Sequence, residues 1–278
     1  MLILRRRYEF WILAPALHRI GAILVPATEQ LLQKDIEYRT NAAKIKMIIS
    51  YDNQPLQAEI EKAMPASKTV QTLVTVGAER EGWLQFHKET EKCAAEFPRP
   101  VGDAATHNED PMLMYFTSGT SGYPKMVLHN FLYPIGHIIT AKYWHKVVDD
   151  GLHLTIAETG WAKASWGKLY GQWICGTALF VYDMNSFKPD KMLQKIAQYG
   201  ITTFCAPPTV YRYLIRQDLS RYDLSTVERY TTAGEALNGE VCNKFYEFTG
   251  KKIFEGYGQS ESAIIAGNFL DEPIRPGS

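Results

Sequence analysis

The stretch Tyr115-Phe-Thr-Ser-Gly-Thr-Ser-Gly-Tyr-Pro-Lys125 joins an apolar segment to a run of small, hydroxylated residues. Residues 112–116 are apolar and favour a buried strand. Gly119 and Gly122 let the backbone approach an anion closely and adopt positive φ. Free main-chain N–H groups and hydroxyls can then donate hydrogen bonds to phosphate oxygens, and Lys125 adds a positive charge. The stretch therefore predicts a phosphate-binding loop that follows a strand.

Other interpretations of this loop explain the residues less well. An ordinary Ser/Gly/Thr surface turn accounts for the composition but not for its place after a buried strand and before Pro124-Lys125. A Walker-type P-loop requires G-x-x-x-x-G-K-[ST], whereas here Met126 follows the lysine and no glycine directly precedes it. A kinase is disfavoured as well, because the chain has no H-R-D or D-F-G sequence.

On both sides of the loop, helical and strand patterns alternate. This alternation predicts an α/β fold with largely parallel sheets. The polar residues 79–111 are expected to form a surface connection with a short helix that ends near residue 97. The expected helices are residues 8–20, 35–44, 57–64, 191–199, 208–217 and 239–249, and the expected strands are residues 22–26, 45–50, 72–76, 112–117, 153–157, 178–182, 202–206, 229–233 and 252–254.

The composition is that of an ordinary folded protein. Of the 278 residues, 46% are hydrophobic and 22% are charged, which is close to average soluble usage. Thirty basic and thirty acidic residues cancel, so electrostatics offer no case for a nucleic acid or an anionic membrane as a partner. No stretch reaches the roughly 18 apolar residues that span a bilayer. We expect small-molecule ligands.

The cysteines bear on the redox environment. Cys93, Cys175, Cys205 and Cys242 are scattered and form no C-x-x-C pair, so neither a disulfide framework nor a zinc site is expected. A reducing compartment suits such a chain, and we therefore expect a cytoplasmic location.

Taken together, the motifs resemble those of the adenylate-forming (AMP-binding) superfamily, which includes acyl-CoA synthetases, luciferases and nonribosomal adenylation domains. Its T-S-G-T-[ST]-G-x-P-K loop matches residues 117–125 completely. Thr232-Ala-Gly-Glu-Ala236 and Glu255-Gly-Tyr-Gly-Gln-Ser-Glu261 follow in the family's order, each after a predicted strand. Gly234-Glu-Ala236, Ser260 and residues 159–168 look most like the medium-chain acyl-CoA synthetase branch. The resemblance extends over the whole chain.

The resemblance implies a fold and a reaction. The fold is the large N-terminal domain of adenylate-forming enzymes, with stacked, largely parallel β-sheets and interleaved helices, present incompletely over residues 1–278. In the reaction, a carboxylate attacks the α-phosphorus of ATP to give acyl-AMP and pyrophosphate, and the thiol of CoA then displaces AMP. Such catalysis consists mainly of positioning and charge neutralisation. ATP, Mg²⁺ and CoA are the implied cofactor and co-substrates.

The resemblance also implies roles for individual residues. Lys125, Thr120 and Glu261 would be catalytic, with Glu261 also coordinating Mg²⁺ through a hard carboxylate oxygen. Tyr257 would stack on the adenine ring, and Trp161 would line a slot that selects carboxylic acids by size. The residues implied to bind the nucleotide are Thr117, Ser118, Gly119, Thr120, Ser121, Gly122, Lys125, Gly234, Glu235, Ala236, Glu255, Gly256, Tyr257, Gly258, Gln259 and Ser260.

The chain departs from the family in length. The opening segment of the large domain, the Asp that binds the ribose hydroxyls, the hinge and the small C-terminal domain with its catalytic lysine are expected to be missing. Two hypotheses follow. The chain is part of a true ligase that activates a medium-chain, branched or aryl acid, or it is a truncated remnant that binds ATP or AMP weakly without turnover. An exposed sheet edge could also promote self-association.

Overall fold

The computed structural model describes residues 1–117 and 122–269, which form two compact units. The first unit comprises Met1–Leu132 together with Glu158–Trp161, and the second comprises Tyr133–Ala157 and the residues from Ala162 onward. Each unit has its own sheet. Among the described residues, no helix combines the length and the apolar character needed to cross a membrane.

The first unit is built on a four-stranded parallel sheet in the order β1-β2-β3-β4. Asn53 begins the third helix by accepting a hydrogen bond from the N–H of Leu56 with its side chain, an arrangement that satisfies one free amide of the first turn. Short 3-10 turns cover Met64–Ala66 and Gly102–Ala104. The strands are β1 (Leu2–Ile3), β2 (Met47–Tyr51), β3 (Thr72–Val76) and β4 (Leu84–Gln85), and the helices are α1 (Tyr8–Arg19), α2 (Gln33–Ala42), α3 (Gln54–Ala63) and α4 (Phe86–Thr90).

An antiparallel hairpin completes this unit. It consists of β5 (Pro111–Thr117) and β6 (Lys125–Asn130). The strand expected at residues 22–26 is reduced to isolated bridges at Leu24 and Pro26, and proline has no N–H with which to continue a ladder. These bridges connect β1 and β5 to the same extended segment.

The second unit contains a six-stranded sheet in the order β12-β11-β10-β9-β7-β8, parallel except for β12. Both of its longest helices end at a glycine with left-handed φ, Gly200 and Gly250, as helix C-termini commonly do. The strands are β7 (Leu152–Thr155), β8 (Ala178–Leu179), β9 (Thr203–Cys205), β10 (Arg229–Ala233), β11 (Ile253–Gly258) and β12 (Ile264–Gly267). The helices are α5 (Tyr133–Ile139), α6 (Ala162–Lys168), α7 (Tyr170–Ile174), α8 (Pro189–Tyr199), α9 (Pro208–Leu214) and α10 (Gly239–Thr249), with a π-helical segment at Thr140–Trp144 and a 3-10 turn at Leu219–Arg221.

Aromatic rings organise the core of this second unit. Phe204 and Tyr230, on adjacent strands, meet edge to face, and Phe245 of α10 packs on both Tyr230 and Tyr211. All four side chains are essentially inaccessible to solvent. Edge-to-face pairs add stabilisation beyond their buried area. This core fixes β9, β10 and α10, which precede and follow the candidate site.

The predicted fold class is confirmed, with local corrections. Strand β10 and helix α10 match the predicted bounds, while β6 and the helices α5 to α7 were not predicted. The connection at residues 79–111 contains β4, and its helix ends at Thr90 rather than near residue 97. The hydrophobic patterns of these segments are short and irregular, and tertiary contacts decide their conformation.

Candidate functional site

In the first unit, the flanks of the predicted phosphate loop are the facing ends of a hairpin. Thr117 and Lys125 lie directly opposite each other in the β5–β6 pair. Gly122 has a φ of 108°, a conformation that side-chain-bearing residues rarely adopt. Lys125 is exposed. The predicted phosphate ligands Ser118, Gly119, Thr120 and Ser121 lie outside the described residues.

In the second unit, the carboxyl ends of β10 and β11, with β12, form a cleft of about 460 Å³. Ligands of open α/β sheets bind outside the carboxyl ends of the strands. The cleft brings together two predicted motifs that are separate in the sequence. Its lining residues are Gly234, Glu235, Ala236, Glu255, Gly256, Tyr257, Gly258, Ala266, Gly267 and Asn268.

Two hydrogen bonds fix the turn that follows β10. The N–H of Leu237 donates to Glu255 Oε1 at 2.7 Å, and Lys163 Nζ donates to the carbonyl of Ala233 at 3.0 Å. Between these bonds, Gly234 has a φ of 109°, which the tight turn requires. Burial lowers the pKa of Lys163, whereas Cys205 and Glu235 act to raise it. The turn is therefore held from both sides by groups outside it.

Two glycines of the cleft occupy positions that leave no room for a side chain. A Cβ on Gly256 would lie 2.6 Å from a ring carbon of Trp144, and a Cβ on Gly267 would lie 2.7 Å from the carbonyl oxygen of Glu255. Trp144 is fully buried, and its indole N–H donates to that same carbonyl at 3.1 Å. The floor is thus main chain supported from below by an indole ring, a surface that suits a flat ligand.

At the open side of the cleft, Tyr257 has 56% of its surface exposed, which leaves its ring available to a planar ligand. The turn after β11 contains the predicted residues Gln259, Ser260 and Glu261. The N–H of Gln259 donates to Ser262 Oγ at 3.3 Å. Glu261 is exposed, and no ion pair within the described ranges involves its carboxylate. A carboxylate in that condition can coordinate a hard cation.

Two buried histidines are hydrogen-bonded to strands β9 and β10 of this sheet. His145 Nδ1 is 3.0 Å from Thr231 Oγ1, and His153 bonds Thr203 and Thr155 at 2.7 Å each. Burial lowers the pKa of His153 to about 3 and that of His145 well below its usual value. Both imidazoles are therefore neutral near pH 7.

Trp161, Trp166 and Trp173, which are close in the sequence, differ in burial. Trp161 belongs to the first unit and is 62% exposed, and its main-chain N–H donates to the carbonyl of Glu158. Trp166 is buried in the second unit, and its ring is 5.9 Å from that of Trp144. Trp173 is exposed. Trp166 is thus a core residue, while the assignment of Trp161 to an acid-binding slot stays a prediction.

Sequence reasoning did not single out Lys163 or Trp144. Lys163 falls within residues 159–168, the segment used for the resemblance, so a signal was present. Trp144 precedes Glu255 by 111 positions, and nothing in the sequence indicates their contact.

A family model described as "AMP-binding enzyme" matches residues 1–278. The chain belongs to the AMP-binding enzyme family. Among its relatives, this chain is 37% identical over 280 residues to the mitochondrial acyl-coenzyme A synthetase ACSM3 of Pongo abelii, a match that covers 100% of this chain and 47% of the relative. It is 37% identical over 278 residues to the mitochondrial ACSM4 of Homo sapiens, covering 99% of this chain and 47% of that protein.

A solved structure shows the same fold. The acyl-CoA synthetase of Brucella canis matches with a TM-score of 0.87 and 24% identity, over 100% of this chain and 50% of that protein. The chain spans about half the length of the curated relatives it matches. The predicted resemblance to AMP-binding enzymes of the medium-chain acyl-CoA synthetase branch is confirmed.

The predicted cytoplasmic location is wrong. The acyl-coenzyme A synthetases ACSM3 and ACSM4, to which this chain is similar, are named as mitochondrial, and this contradicts the cytoplasmic prediction. The prediction failed because scattered, unpaired cysteines report on redox conditions and do not distinguish one reducing compartment from another.

Proposed function

We propose that the protein is an AMP-forming acyl-CoA synthetase that converts a medium-chain, branched or aryl carboxylic acid to its CoA thioester through an acyl-adenylate. The observation that supports this most directly is the cleft in which residues 234–236 meet residues 255–258. The acyl-CoA synthetase names of the relatives support the same reaction. Residues 1–278 would be an incomplete large domain, with the small C-terminal domain outside it.

The cleft fits the adenosine end of ATP. Its volume of about 460 Å³ lies within the range of small-ligand pockets. The main-chain floor and the exposed ring of Tyr257 suit a purine, and the turn at Gly234, Glu235 and Ala236 offers main-chain groups along its edge. The floor, the ring of Tyr257 and this turn would together orient the nucleotide, and Glu255 would hold the turn in place.

The phosphate end of ATP would be bound by residues 117–122 and Lys125. The hairpin places Thr117 directly opposite Lys125. The hydroxyl of Thr117 and the ammonium group of Lys125 would then face the same anion. Thr120 and Ser260 would add hydroxyl donors. Mg²⁺ would be held by Glu261, whose exposed carboxylate fits a hard cation, and would offset phosphate charge during displacement. Trp161 would contact the acid, and the thiol of CoA would release AMP.

A pyrophosphate-exchange assay tests the proposed function. With ATP, Mg²⁺ and a panel of short, medium-chain and aromatic acids, we expect exchange that depends on the acid. Lys125→Ala and Glu261→Gln should abolish it. Lys244→Ala is the matched control, because Lys244 is a surface lysine of α10 that pairs with Glu240 and has no proposed role in binding or catalysis. Exchange that survives in both site variants would contradict the assignment.

The alternative is a remnant that binds ATP or AMP without turnover. It predicts that millimolar nucleotide raises the melting temperature although no exchange occurs, because a ligand specific to the native state must stabilise it. If neither ATP nor AMP raises the melting temperature, both the enzyme and the remnant hypotheses fail. Self-association through an exposed sheet edge is measured in the same preparations by light scattering.

A further inference from the structure

Asn268 lines the cleft of the second unit, although it belongs to none of the motifs that define the proposed function. It directly follows β12. Its main-chain N–H donates to the carbonyl of Glu255 at 2.9 Å, and the N–H of Glu255 donates back to Asn268 Oδ1 at 3.1 Å. The side-chain oxygen of Asn268 thus takes the place that a main-chain carbonyl occupies in an antiparallel pair.

The main-chain carbonyl of Asn268 has a different partner. Arg229 Nη2 donates to this carbonyl at 3.0 Å. Arg229 is almost completely buried, and its Nε donates to the carbonyl of Trp144 at 3.1 Å, so the guanidinium is fixed within the second unit. Asn268 is therefore held through its N–H, its carbonyl and its side-chain oxygen. A side chain locked by such supporting contacts presents its remaining polar group in a defined direction.

The remaining polar group of Asn268 is its amide nitrogen, Nδ2. The orientation of the amide follows from the bond to Glu255, because a main-chain N–H requires an acceptor and so faces Oδ1 rather than Nδ2. No described residue accepts a hydrogen bond from Nδ2. A residue that lines the cleft thus has an amide donor that the described part of the chain does not use.

The strand register places Asn268 near the exposed ring of Tyr257. Tyr257 lies opposite Ala266 in the β11–β12 pair, and Asn268 is two positions beyond Ala266. Opposed residues share a face of the sheet, and side chains alternate along each strand, so Asn268 lies on the same face as Tyr257. Such diagonal neighbours are about 7–8 Å apart. The edge of a flat ring stacked on Tyr257 therefore comes close to Asn268.

We propose that Asn268 contacts the base of the bound nucleotide, with Nδ2 donating a hydrogen bond to a ring nitrogen of adenine. The inference rests on the proposed function, because it takes the cleft as the site of adenosine. Stacking on an aromatic ring tolerates any base, since every base has a π-face. A fixed amide donor, in contrast, selects a ring that carries an acceptor at one position. The atoms N1, N3 and N7 of adenine carry no hydrogen and are such acceptors.

Calorimetric titration of the purified protein with AMP tests this contact. Asn268→Asp keeps an oxygen that accepts from the N–H of Glu255 but removes the amide donor, and we expect AMP to bind about two- to tenfold more weakly. The matched control is Asn243→Asp, which adds the same charge at an exposed position of α10 that does not line the cleft. The control variant should bind AMP as tightly as the parent protein.

Analogues of AMP in which carbon replaces N1, N3 or N7 test the same contact without altering the protein. One of the three should bind the parent about two- to tenfold more weakly than AMP does, and this difference should vanish in Asn268→Asp. The inference is overturned if no analogue loses affinity for the parent, or if the loss is equal in both proteins. AMP still binds in either case, so the proposed function stands. If the parent does not bind AMP, the proposed function fails and this inference fails with it.

Discussion

The carboxylate of Glu255 accepts a hydrogen bond from the main-chain N–H of Leu237 at 2.7 Å. The bond joins the turn after β10 to strand β11, so the two motifs of the cleft are fixed to each other by a side chain of one and the backbone of the other. Hydrogen bonds to an ionised acceptor are stronger than neutral ones. Glu255 therefore contributes to the cleft by shaping it, in addition to any contact with the ligand.

Replacing Glu255 tests this shaping role. Glu255→Ala should lower the free energy of unfolding by about 1–3 kcal/mol and weaken AMP binding, since the amide of Leu237 loses its partner. Glu255→Gln keeps an acceptor oxygen without the charge and should lose less on both counts. Urea unfolding and AMP titration measure the two effects. Equal behaviour of the Ala and Gln variants would show that the hydrogen bond does not shape the cleft.

Gly256 is expected to tolerate no side chain. The added methyl group of Gly256→Ala would lie 2.6 Å from the ring of Trp144, which is fully buried and cannot move without disturbing the core. We expect a loss of about 1–3 kcal/mol in the free energy of unfolding, the usual cost of overpacking. Urea unfolding measures it. Gly136→Ala in α5 is the control, because no described atom beyond its chain neighbours and its own helix backbone lies within 4 Å of its Cβ position, and its stability should be unchanged or slightly higher.

How far the sequence predicts this structure depends on whether the signals are local. Strand β10 and helix α10 were placed correctly, because a short β-prone run, the Asn238 cap and Gly250 are all local features. Strand β6 was missed, because its residues do not alternate in exposure and its assignment depends on pairing with β5.

The candidate site shows the same division. The motifs identified residues 234–236 and 255–258 of the cleft, because glycines and charged residues at fixed spacing carry a local signature. They did not identify Ala266, Gly267 and Asn268, which line the cleft as well. The supporting residues were not predicted. Trp144 and Lys163 act on Gly256 and Ala233 from distant parts of the chain, and such contacts exist only after folding.

The tryptophans should separate in their effects on stability and on acid preference. Trp166→Ala removes a buried ring and should cost about 3–5 kcal/mol of unfolding free energy. Trp161→Ala removes a largely exposed ring and should change stability little, while altering the relative exchange rates with medium-chain and aryl acids if Trp161 contacts the acid. Unfolding and exchange measured side by side test both. Unchanged acid preference in Trp161→Ala would remove that residue from the proposed acid site.

Acid should destabilise the protein through its buried histidines. The pKa of His153 in the folded state is about 3, below the usual value of 6.5, because burial opposes its charge. Between these two values the unfolded chain binds a proton that the folded chain excludes. The contribution of neutral His153 to stability is therefore complete above pH 6.5 and declines as the pH falls toward 3, with a slope that approaches about 1.4 kcal/mol per pH unit for one proton. The lowered pKa of His145 acts in the same direction.

This pH dependence is measured by urea unfolding at pH 7, 6 and 5. His153→Asn should flatten the decline by about one proton, whatever its effect on stability at pH 7, because the residue no longer titrates. His107→Asn, which removes an exposed imidazole, is the control. The slope is the decisive quantity, since loss of the bonds to Thr203 and Thr155 lowers stability by a similar amount at each pH. If the free energy of unfolding falls with the same slope in the parent and in His153→Asn from pH 7 to 5, burial does not lower the pKa of His153.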